Sequence, residues 1–289
     1  MRLLTLSAVV LALTACAVPP ATAGPAVVLP PAHAGFDYQI GGPYPPAADV
    51  RVVTRDHEVA PAPGLYNICY VNAFQVQPGA EAEWDADLLL RDADGEVVYD
   101  GDWGEALLDL RTADKRARVA DKVGGWIDGC AAKGYQAVEP DNYDSYTRAP
   151  EGLLTPEHAK ALHTLLSARA HGEGLAIAQK NTVELAGDRE AVGVDFAVAE
   201  ECGQYEECGD YVAAFGDHVI VIEYTEDGLA AACAGWGGRL SVVLRDLDVL
   251  PADDPAHVRR TRRPPGARRT RRPPGVRRTR RPPGARRPC

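Results

Sequence analysis

YQAVEPDNYD, residues 135–144, joins a strand-like apolar run to a cluster of carboxylates. Glu139, Asp141 and Asp144 all fall within the seven residues 138–144. Surface loops often carry this much acid, but a segment typical of a buried strand rarely leads into them. The stretch therefore predicts a buried strand whose carboxyl end opens into a polar site.

Other short apolar runs of the same kind recur along the chain. With YQAVE (135–139) they are FDYQI (36–40), VRVVT (50–54), LYNICYV (65–71), ALLDLR (106–111), LAIAQKN (175–181), VDFAVAE (194–200), HVIVIEY (218–224) and LSVVL (240–244). Most are continuously apolar rather than alternating, as in strands that are covered on both faces. Helical patterns separate several of them, at 113–134, at 155–174 behind Thr155 and Pro156, and at 181–190.

Strands that alternate with helices predict parallel strands joined by right-handed crossovers. Eight or nine such runs fit one α/β domain, a (β/α)8 barrel of the TIM type, which we predict over residues 35–250. The barrel must be irregular, because the link RDHEVAPAPG after the second run is too short for a helix. An open doubly wound sheet is the alternative, but no GxGxxG follows any strand.

The first residues have the features of an export signal. Arg2 precedes the apolar run LLTLSAVVLALTA, and L-T-A-C ends at Cys16, as in a lipobox whose cysteine is lipidated. Residues 17–34 are rich in Pro and Ala and predict a tether. We therefore expect an extracellular lipoprotein held at the membrane through Cys16, with plain secretion after cleavage near residues 21–24 as the alternative.

Charge divides the chain into an acidic body and a basic tail. Fourteen of the 31 Lys and Arg lie from Arg259 onward, where no acid occurs, so 17 remain against 41 Asp and Glu and the body carries a net charge of about −24. An acidic body does not suit nucleic acid, but it suits a cationic ligand or simply aids solubility. The repeats RRTRRPPGA and RRTRRPPGV predict disorder over residues 251–289. Attraction to an anionic envelope and repetitive read-through are both open explanations of the tail.

Five cysteines remain once Cys16 and the terminal Cys289 are set aside, and export permits disulfides among them. Cys202 could pair with Cys208 and close a small loop, or Cys208 could pair with Cys233. There is no CxxC pair and no cluster of histidines at ligand spacing, so we expect no metal site and no cofactor.

Carboxylates and amides follow nearly every predicted strand, at the end where a parallel barrel carries its chemistry. A cleft rich in acids and aromatic residues, without a metal cage, is typical of glycoside hydrolysis. There one carboxyl protonates the leaving oxygen, and a second acts as nucleophile or activates water. Each acid also has a structural explanation: Asp109 and Arg111 could form an ion pair, and Lys180 could merely neutralise its neighbours.

The order of the motifs resembles the endo-α-1,4-polygalactosaminidase family, glycoside hydrolase family 114, over roughly residues 35–249. The resemblance lies in FDYQIGG, LYNICYVN, WGEALLDLR, GYQAVEPDNYD, GLAIAQKN, AEECGQYEEC, HVIVIEY and LRDLD. It implies a (β/α)8 barrel that cleaves within polymers of α-1,4-linked galactosamine. The family's two catalytic carboxylates fall on Asp141 and Glu200. Where the family pattern reads N-E-Q-C, this chain has AEEC at 199–202.

We expect further polar and phenolic side chains to hold sugar hydroxyls or amines in the cleft, and Trp84 and Trp103 to be available for stacking. The expected set is Asp37, Tyr70, Asp109, Glu139, Asn142, Lys180, Tyr205, Glu223 and Tyr224. The sequence thus predicts a monomeric glycoside hydrolase with a cationic galactosamine polymer as substrate. The alternatives are a non-catalytic carbohydrate-binding lipoprotein on the same barrel and a hydrolase of another α-linked amino-sugar polymer.

Overall fold

The computed structural model describes residues 26–261, and the predicted export signal, the lipidation at Cys16 and most of the basic tail lie outside them. The described chain forms a nearly closed barrel of eight parallel strands, with a ninth, antiparallel strand at its seam. The strands in chain order are β1 Gly35–Gln39, β2 Val50–Asp56, β3 Tyr66–Asn72, β4 Gln75–Val76, β5 Ala106–Leu107, β6 Ala137–Asp141, β7 Ala176–Lys180, β8 Phe196–Glu200, β9 Val219–Glu223, β10 Ser241–Arg245 and β11 Arg259–Thr261. Their order around the barrel is β1-β2-β3-β6-β7-β8-β9-β10-β11, which confirms the predicted irregular (β/α)8 architecture.

The continuous apolar runs reflect burial of both faces of each barrel strand. In β8, Phe196 and Val198 point into the barrel, while Ala197 and Ala199 face the layer outside it. Because successive side chains of a strand point to opposite faces, both sets must be apolar when a helix covers the outside. This is why the runs do not alternate.

Five α-helices cover the outer face of the barrel in the described chain. They are α1 Ala113–Lys133, α2 Pro156–Gly172, α3 Arg189–Val192, α4 Cys208–Phe215 and α5 Glu226–Trp236. Thr112, Thr155 and Thr225 cap α1, α2 and α5, each accepting a backbone N–H three residues on. The helix predicted over 181–190 is a 3₁₀ helix at Val183–Asp188 that continues into α3. None of these helices is long and apolar enough to cross a bilayer.

One of the sequence expectations fails between β3 and α1. ALLDLR is not a barrel strand: only Ala106 and Leu107 are in strand conformation, and they pair with β4 in a separate two-stranded sheet. The run belongs to the excursion over residues 73–112, which leaves the barrel after β3 and returns at α1. As predicted, no helix lies between β2 and β3.

Segments that the sequence places outside the barrel domain pack against it. Val27 and Leu29, in the predicted tether, contact the inner core, and the carbonyl of Val28 accepts a hydrogen bond from the Tyr66 hydroxyl at 2.6 Å. At the other end, β11 pairs with β10 beyond the predicted boundary at residue 250. The folded body therefore spans at least residues 26–261.

Two disulfides link described residues of the fold to each other. Cys69 on β3 bonds to Cys130 on α1 and ties the helix to the barrel wall. Cys202 bonds to Cys208, which resolves the two pairings that the sequence left open for Cys208. The second disulfide closes the turn that follows β8.

A buried ion pair joins β11 to β1. The Asp37 carboxylate is fully buried, accepts hydrogen bonds from Gln39 (2.9 Å) and Tyr44 (2.8 Å), and lies 2.8 Å from Nε of Arg259. Removing one partner of a buried ion pair leaves an uncompensated charge. The C-terminal strand is thus held electrostatically as well as by its pairing with β10.

We expect Arg259→Met, which keeps the apolar stem, to lower the free energy of unfolding by about 2 to 4 kcal/mol in urea titrations. Arg260→Met is the matched control, because its pair with Glu226 is exposed and contributes less than about 1 kcal/mol. Equal effects of the two substitutions would contradict the role given to the buried pair.

Candidate active site

An open cleft of about 650 Å³ lies at the carboxyl ends of the barrel strands. Its walls come from the ends of β1, β3, β6, β7, β8, β9 and β10 and from the excursion 73–112. The residues that line it are Tyr38, Ile40, Tyr70, Trp103, Glu105, Asp141, Asn142, Asp144, Arg148, Lys180, Asn181, Glu200, Tyr224, Leu247, Asp248 and Val249. The site therefore lies where a parallel barrel is expected to carry it.

The ammonium group of Lys180 is at the centre of the cleft floor. Its Nζ lies 3.0 Å from Asp141, 3.3 Å from Glu200 and 3.5 Å from Glu139, and the side chain is 3% exposed. Three neighbouring carboxylates raise the pKa of Lys180 well above its ordinary value, although burial alone would lower it. Lys180 is therefore a permanent cation at the junction of β6, β7 and β8.

Asp141 ends β6 and is held in its ionised form. Burial by itself would raise the pKa of this carboxyl, but the charge of Lys180 and hydrogen bonds from Tyr70 (2.8 Å) and Lys180 (3.0 Å) bring it below its ordinary value. Hydrogen bonds and a cation both favour the charged form of an acid. Asp141 is thus a carboxylate at neutral pH with both oxygens oriented.

Glu200 ends β8 and faces Asp141 across Lys180. Its carboxylate accepts hydrogen bonds from the Tyr224 hydroxyl and from Nδ2 of Asn181 at 2.9 Å. The Asn181 side chain also accepts a hydrogen bond from the backbone N–H of Glu200 at 2.9 Å. It therefore holds both the backbone and the carboxylate of Glu200. The side chain is 23% exposed and reaches the cleft.

The backbone turns sharply directly after each of these functional side chains. Asn142, Asn181 and Glu201, which follow Asp141, Lys180 and Glu200, have φ values of 65°, 51° and 57°. Asparagine tolerates this left-handed conformation better than most residues, which explains two of the three positions. The turns let each strand end on its functional side chain before the chain leaves the barrel.

Glu139 lies behind the floor of the cleft rather than in its lining. It is fully buried, and its oxygens accept hydrogen bonds from Tyr38 (3.0 Å) and Thr54 (3.3 Å). Burial raises the pKa of Glu139 to about 7, against the opposing effect of Lys180. Glu139 therefore contacts Lys180 and does not line the cleft in which a sugar would bind.

The wall opposite Glu200 is held together by Arg148. The guanidinium lies 3.1 Å from Asp100, donates to Asn142 at 3.0 Å and pairs with Asp144 at 3.0 Å. It therefore joins the excursion to the loop that follows β6. Burial raises the pKa of Asp144, which Arg148 partly offsets.

Besides Glu139, four of the expected cleft residues do not line the cleft. Asp37 is occupied by the buried ion pair with Arg259, and Asp109 is bound by Arg111 and Lys115 outside the barrel mouth. The side chain of Tyr205 is 61% exposed to solvent. The remaining residue is Glu223, which faces the turn after β8.

Glu223 supports the turn that the Cys202–Cys208 disulfide closes. It is fully buried, and one of its oxygens accepts the backbone N–H of Gly203 at 2.7 Å. Its second oxygen would be 2.2 Å from a Cβ at Gly228, so only glycine fits there. Burial raises the pKa of Glu223 to about 7. These two cysteines and Glu223 are the only metal-spaced group in the described chain, but both sulfurs are used in the disulfide.

The two tryptophans that the sequence offers for stacking have different environments. Trp103 lines the cleft with half of its surface exposed. Trp84 is 7% exposed and packs edge-on against Trp126 with 5.9 Å between ring centroids. Only Trp103 is available to a ligand in this cleft.

Several residues that line the cleft were not among the site residues that the sequence predicted. They are Tyr38, Ile40, Glu105, Asp144, Arg148, Asn181 and residues 247–249. Glu105 directly precedes ALLDLR (106–111), which the sequence predicts as a barrel strand. Arg148 follows a short 3₁₀ helix at Ser145–Thr147. Asn181 carries the clearest signal, since it directly follows Lys180 at a strand end.

A (β/α)8 barrel with carboxylates gathered around one lysine in an open cleft is the arrangement of a glycoside hydrolase. The model of glycoside-hydrolase family GH114 matches residues 17–263, and the chain belongs to this family. This membership confirms the resemblance seen in the sequence and makes the chain a glycoside hydrolase.

Solved structures share the fold. Ega3 of Aspergillus fumigatus, crystallised in complex with galactosamine, is 21% identical, with a TM-score of 0.65 over 80% of this chain and 98% of that chain. The glycoside hydrolase domain of PelA from Pseudomonas aeruginosa is 18% identical, with a TM-score of 0.55 over 78% of this chain and 97% of that chain. No curated protein sequence is significantly similar to this chain.

Replacing Lys180 by Met should raise the pKa of Asp141, because burial then acts without the opposing cation. The titration of the Asp141 carboxyl, followed by carbon NMR, is expected to move to higher pH. Lys160→Met is the control, since it removes an ammonium that is paired on the surface with Glu157 and Asp188.

An unchanged titration of Asp141 in Lys180→Met would contradict the electrostatic role of the lysine. If that variant does not fold, Lys180→Met with Glu139→Gln provides the same comparison with one buried carboxylate fewer.

Proposed function

We propose that this glycoside hydrolase cleaves internal α-1,4-galactosaminide bonds in a galactosamine-containing polysaccharide, with Asp141 and Glu200 as its two catalytic carboxyls. The observation that carries the proposal is their common contact with Lys180, at 3.0 and 3.3 Å, on the floor of the cleft. Two carboxyls on either side of a glycosidic bond are the minimal equipment of this reaction.

The electrostatics of the site favour different roles for the two acids. Asp141, whose pKa is lowered, is available as the nucleophile. Glu200 then serves as the acid that protonates the leaving oxygen. Its partner Tyr224 carries a hydroxyl, which can accept a hydrogen bond from a neutral carboxyl as well as donate one to a charged carboxylate.

The reaction balances on these two groups. Glu200 gives its proton to the glycosidic oxygen while an Asp141 oxygen bonds to the anomeric carbon and the leaving sugar departs. Water then attacks the same carbon, Glu200 takes its proton, and Asp141 is released as a carboxylate.

The acidic cleft supports a cationic substrate. A galactosamine unit with a free amine is positively charged at neutral pH, and Ega3, which shares this fold, was crystallised with galactosamine. The body of the chain is also strongly acidic. A polyanionic polymer such as a uronate would be repelled by the same charges.

We also propose a place of action from the motifs near the two ends of the chain. It involves export, lipidation at Cys16 and anchoring of a monomeric hydrolase at the membrane, with the Pro- and Ala-rich segment that begins at residue 17 as the spacer. The basic repeats would contribute attraction to an anionic envelope. Loss of membrane fractionation in Cys16→Ala, with secretion retained, is the result that this proposal requires.

The first test measures new reducing ends from partly deacetylated α-1,4-galactosamine polymer with the purified chain. We expect Asp141→Asn and Glu200→Gln to lower turnover by at least about a hundredfold, because each removes a group that reacts. Glu201→Gln is the matched control, since it neutralises the next residue, which does not line the cleft, and should keep most activity.

The outcomes separate the rival functions. Binding of the polymer without any cleavage would favour a carbohydrate-binding protein on this barrel. Cleavage of a different α-linked amino-sugar polymer, with loss in the same two variants, would keep the mechanism and change the substrate. Full activity in either variant would remove the assigned residue from the mechanism.

The geometry also favours retention of anomeric configuration. The oxygens of Asp141 and Glu200 that contact Lys180 can be no farther apart than the sum of the two contact distances, about 6.3 Å. Retaining enzymes place their carboxyls about 5 to 5.5 Å apart and inverting enzymes about 6.5 to 9.5 Å. Proton NMR of the first product should therefore show the α-anomer, and initial release of the β-anomer would rule out Asp141 as nucleophile.

A further inference from the structure

Glu105 differs from the other shielded carboxylates of the cleft lining in forming no ion pair. Asp141 and Glu200 share Lys180, and Asp144 pairs with Arg148. No described Lys, Arg or His side chain lies within ion-pair distance of Glu105, although it is only 8% exposed. Asp248, the remaining acid of the lining, is exposed to water.

An unpaired carboxylate at this depth is costly to ionise. Burial, together with the charges of Asp141 and Asp100, raises the pKa of Glu105 to about 7, against the opposing effects of the Asn72 side chain and of the Arg148 charge. Among the hydrogen bonds of the described chain, one from Nδ2 of Asn142, at 3.1 Å, holds one of its oxygens. This carboxyl therefore lines the cleft without forming an ion pair.

An exposed aromatic ring stands beside this carboxyl. Trp103 lies two residues earlier on the same turn, lines the same cleft and is 50% exposed. Asp100 closes the turn by accepting the backbone N–H groups of Asp102 (2.9 Å) and Trp103 (3.4 Å), and Arg148 anchors Asp100 in turn. The ring and the carboxyl are therefore held on one rigid support rather than on a free loop.

We propose that Glu105 and Trp103 form a subsite for a sugar residue that carries a free amine, with the ammonium bound by Glu105 and the apolar sugar face on the indole. A substrate ammonium supplies the cation that the protein does not provide, whereas an N-acetyl group is neutral. The subsite would thus select deacetylated units beside the bond that is cut. This inference rests on the proposed function, because it assigns an amino-sugar polymer to the same cleft.

The experiment compares fully deacetylated and fully N-acetylated α-1,4-galactosamine oligomers of equal length with wild-type chain and Glu105→Gln. We expect kcat/KM for the deacetylated oligomer to fall about 10- to 100-fold, mainly through KM, as for loss of a charged hydrogen bond. The value for the acetylated oligomer should change less than about threefold. The preference for the free amine then largely disappears.

Two further variants distinguish this from a general loss of structure. Trp103→Ala should weaken both oligomers alike, since stacking does not depend on the amine. Glu96→Gln is the matched control, because it removes the same charge from an exposed position of the same excursion and should leave both values unchanged. A preference in Glu105→Gln equal to that of wild type overturns the subsite.

The pH dependence gives an independent readout. The wild-type preference for the free amine should increase as pH rises through about 7, where Glu105 ionises, while the sugar amine is still charged. The Glu105→Gln variant should lack this increase. A preference that rises equally in both proteins would assign the titration to another group and overturn the proposal.

Failure of the proposed function remains distinguishable from failure of the subsite. If the wild type cuts neither oligomer, the hydrolase proposal fails for this polymer, and calorimetric binding of the deacetylated oligomer then decides the subsite alone. Binding that weakens about tenfold or more in Glu105→Gln and not in Glu96→Gln supports the subsite, and equal binding in both overturns it.

Discussion

The buried ammonium of Lys180 is the interaction on which the site depends. Three carboxylates from β6 and β8 lie within 3.5 Å of it, and without a cation their mutual repulsion and their loss of hydration would oppose closure of the barrel there. One positive charge cannot neutralise three negative ones. The most deeply buried of the three, Glu139, accordingly has a pKa of about 7, while Asp141 stays ionised.

The irregular parts of the barrel build the rest of the cleft. The chain after β3 does not return through a helix at once but forms the excursion 73–112, which brings Trp103 and Glu105 to the rim. Arg148 binds this excursion to the loop after β6 through Asp100, Asn142 and Asp144. On the opposite side, the Cys202–Cys208 disulfide and buried Glu223 order the turn behind Glu200. Departures from the ideal fold thus supply part of the cleft rim, while the regular strands supply Asp141, Lys180 and Glu200.

The body of the molecule and its cleft both carry negative charge that would attract a cationic polymer. The body is strongly acidic, which raises the local concentration of a polycation, and the cleft lining includes Glu105, a nearly buried acid that forms no ion pair. Long-range attraction of this kind is weakened by salt, whereas contact with a shielded carboxyl is weakened much less. Recruitment of the polymer and recognition of its amines would therefore respond differently to ionic strength.

The sequence by itself determined the parallel barrel, most of its strands and the polar residues at their ends, because apolar runs and the polar residues that follow them are local patterns. The sequence predicted six residues for the cleft that do line it: Asp141, Glu200, Lys180, Tyr70, Asn142 and Tyr224.

Only the tertiary structure decided which acids face solvent and which are paired. Asp37 was predicted for the cleft, but it is occupied by Arg259 from 222 residues away along the chain, a segment that the sequence placed in the disordered tail. Glu105 was not predicted, because its run pairs with β4 outside the barrel and reaches the cleft through contacts distant in sequence. Ion pairing and burial are properties of three-dimensional neighbours, and no local pattern encodes them.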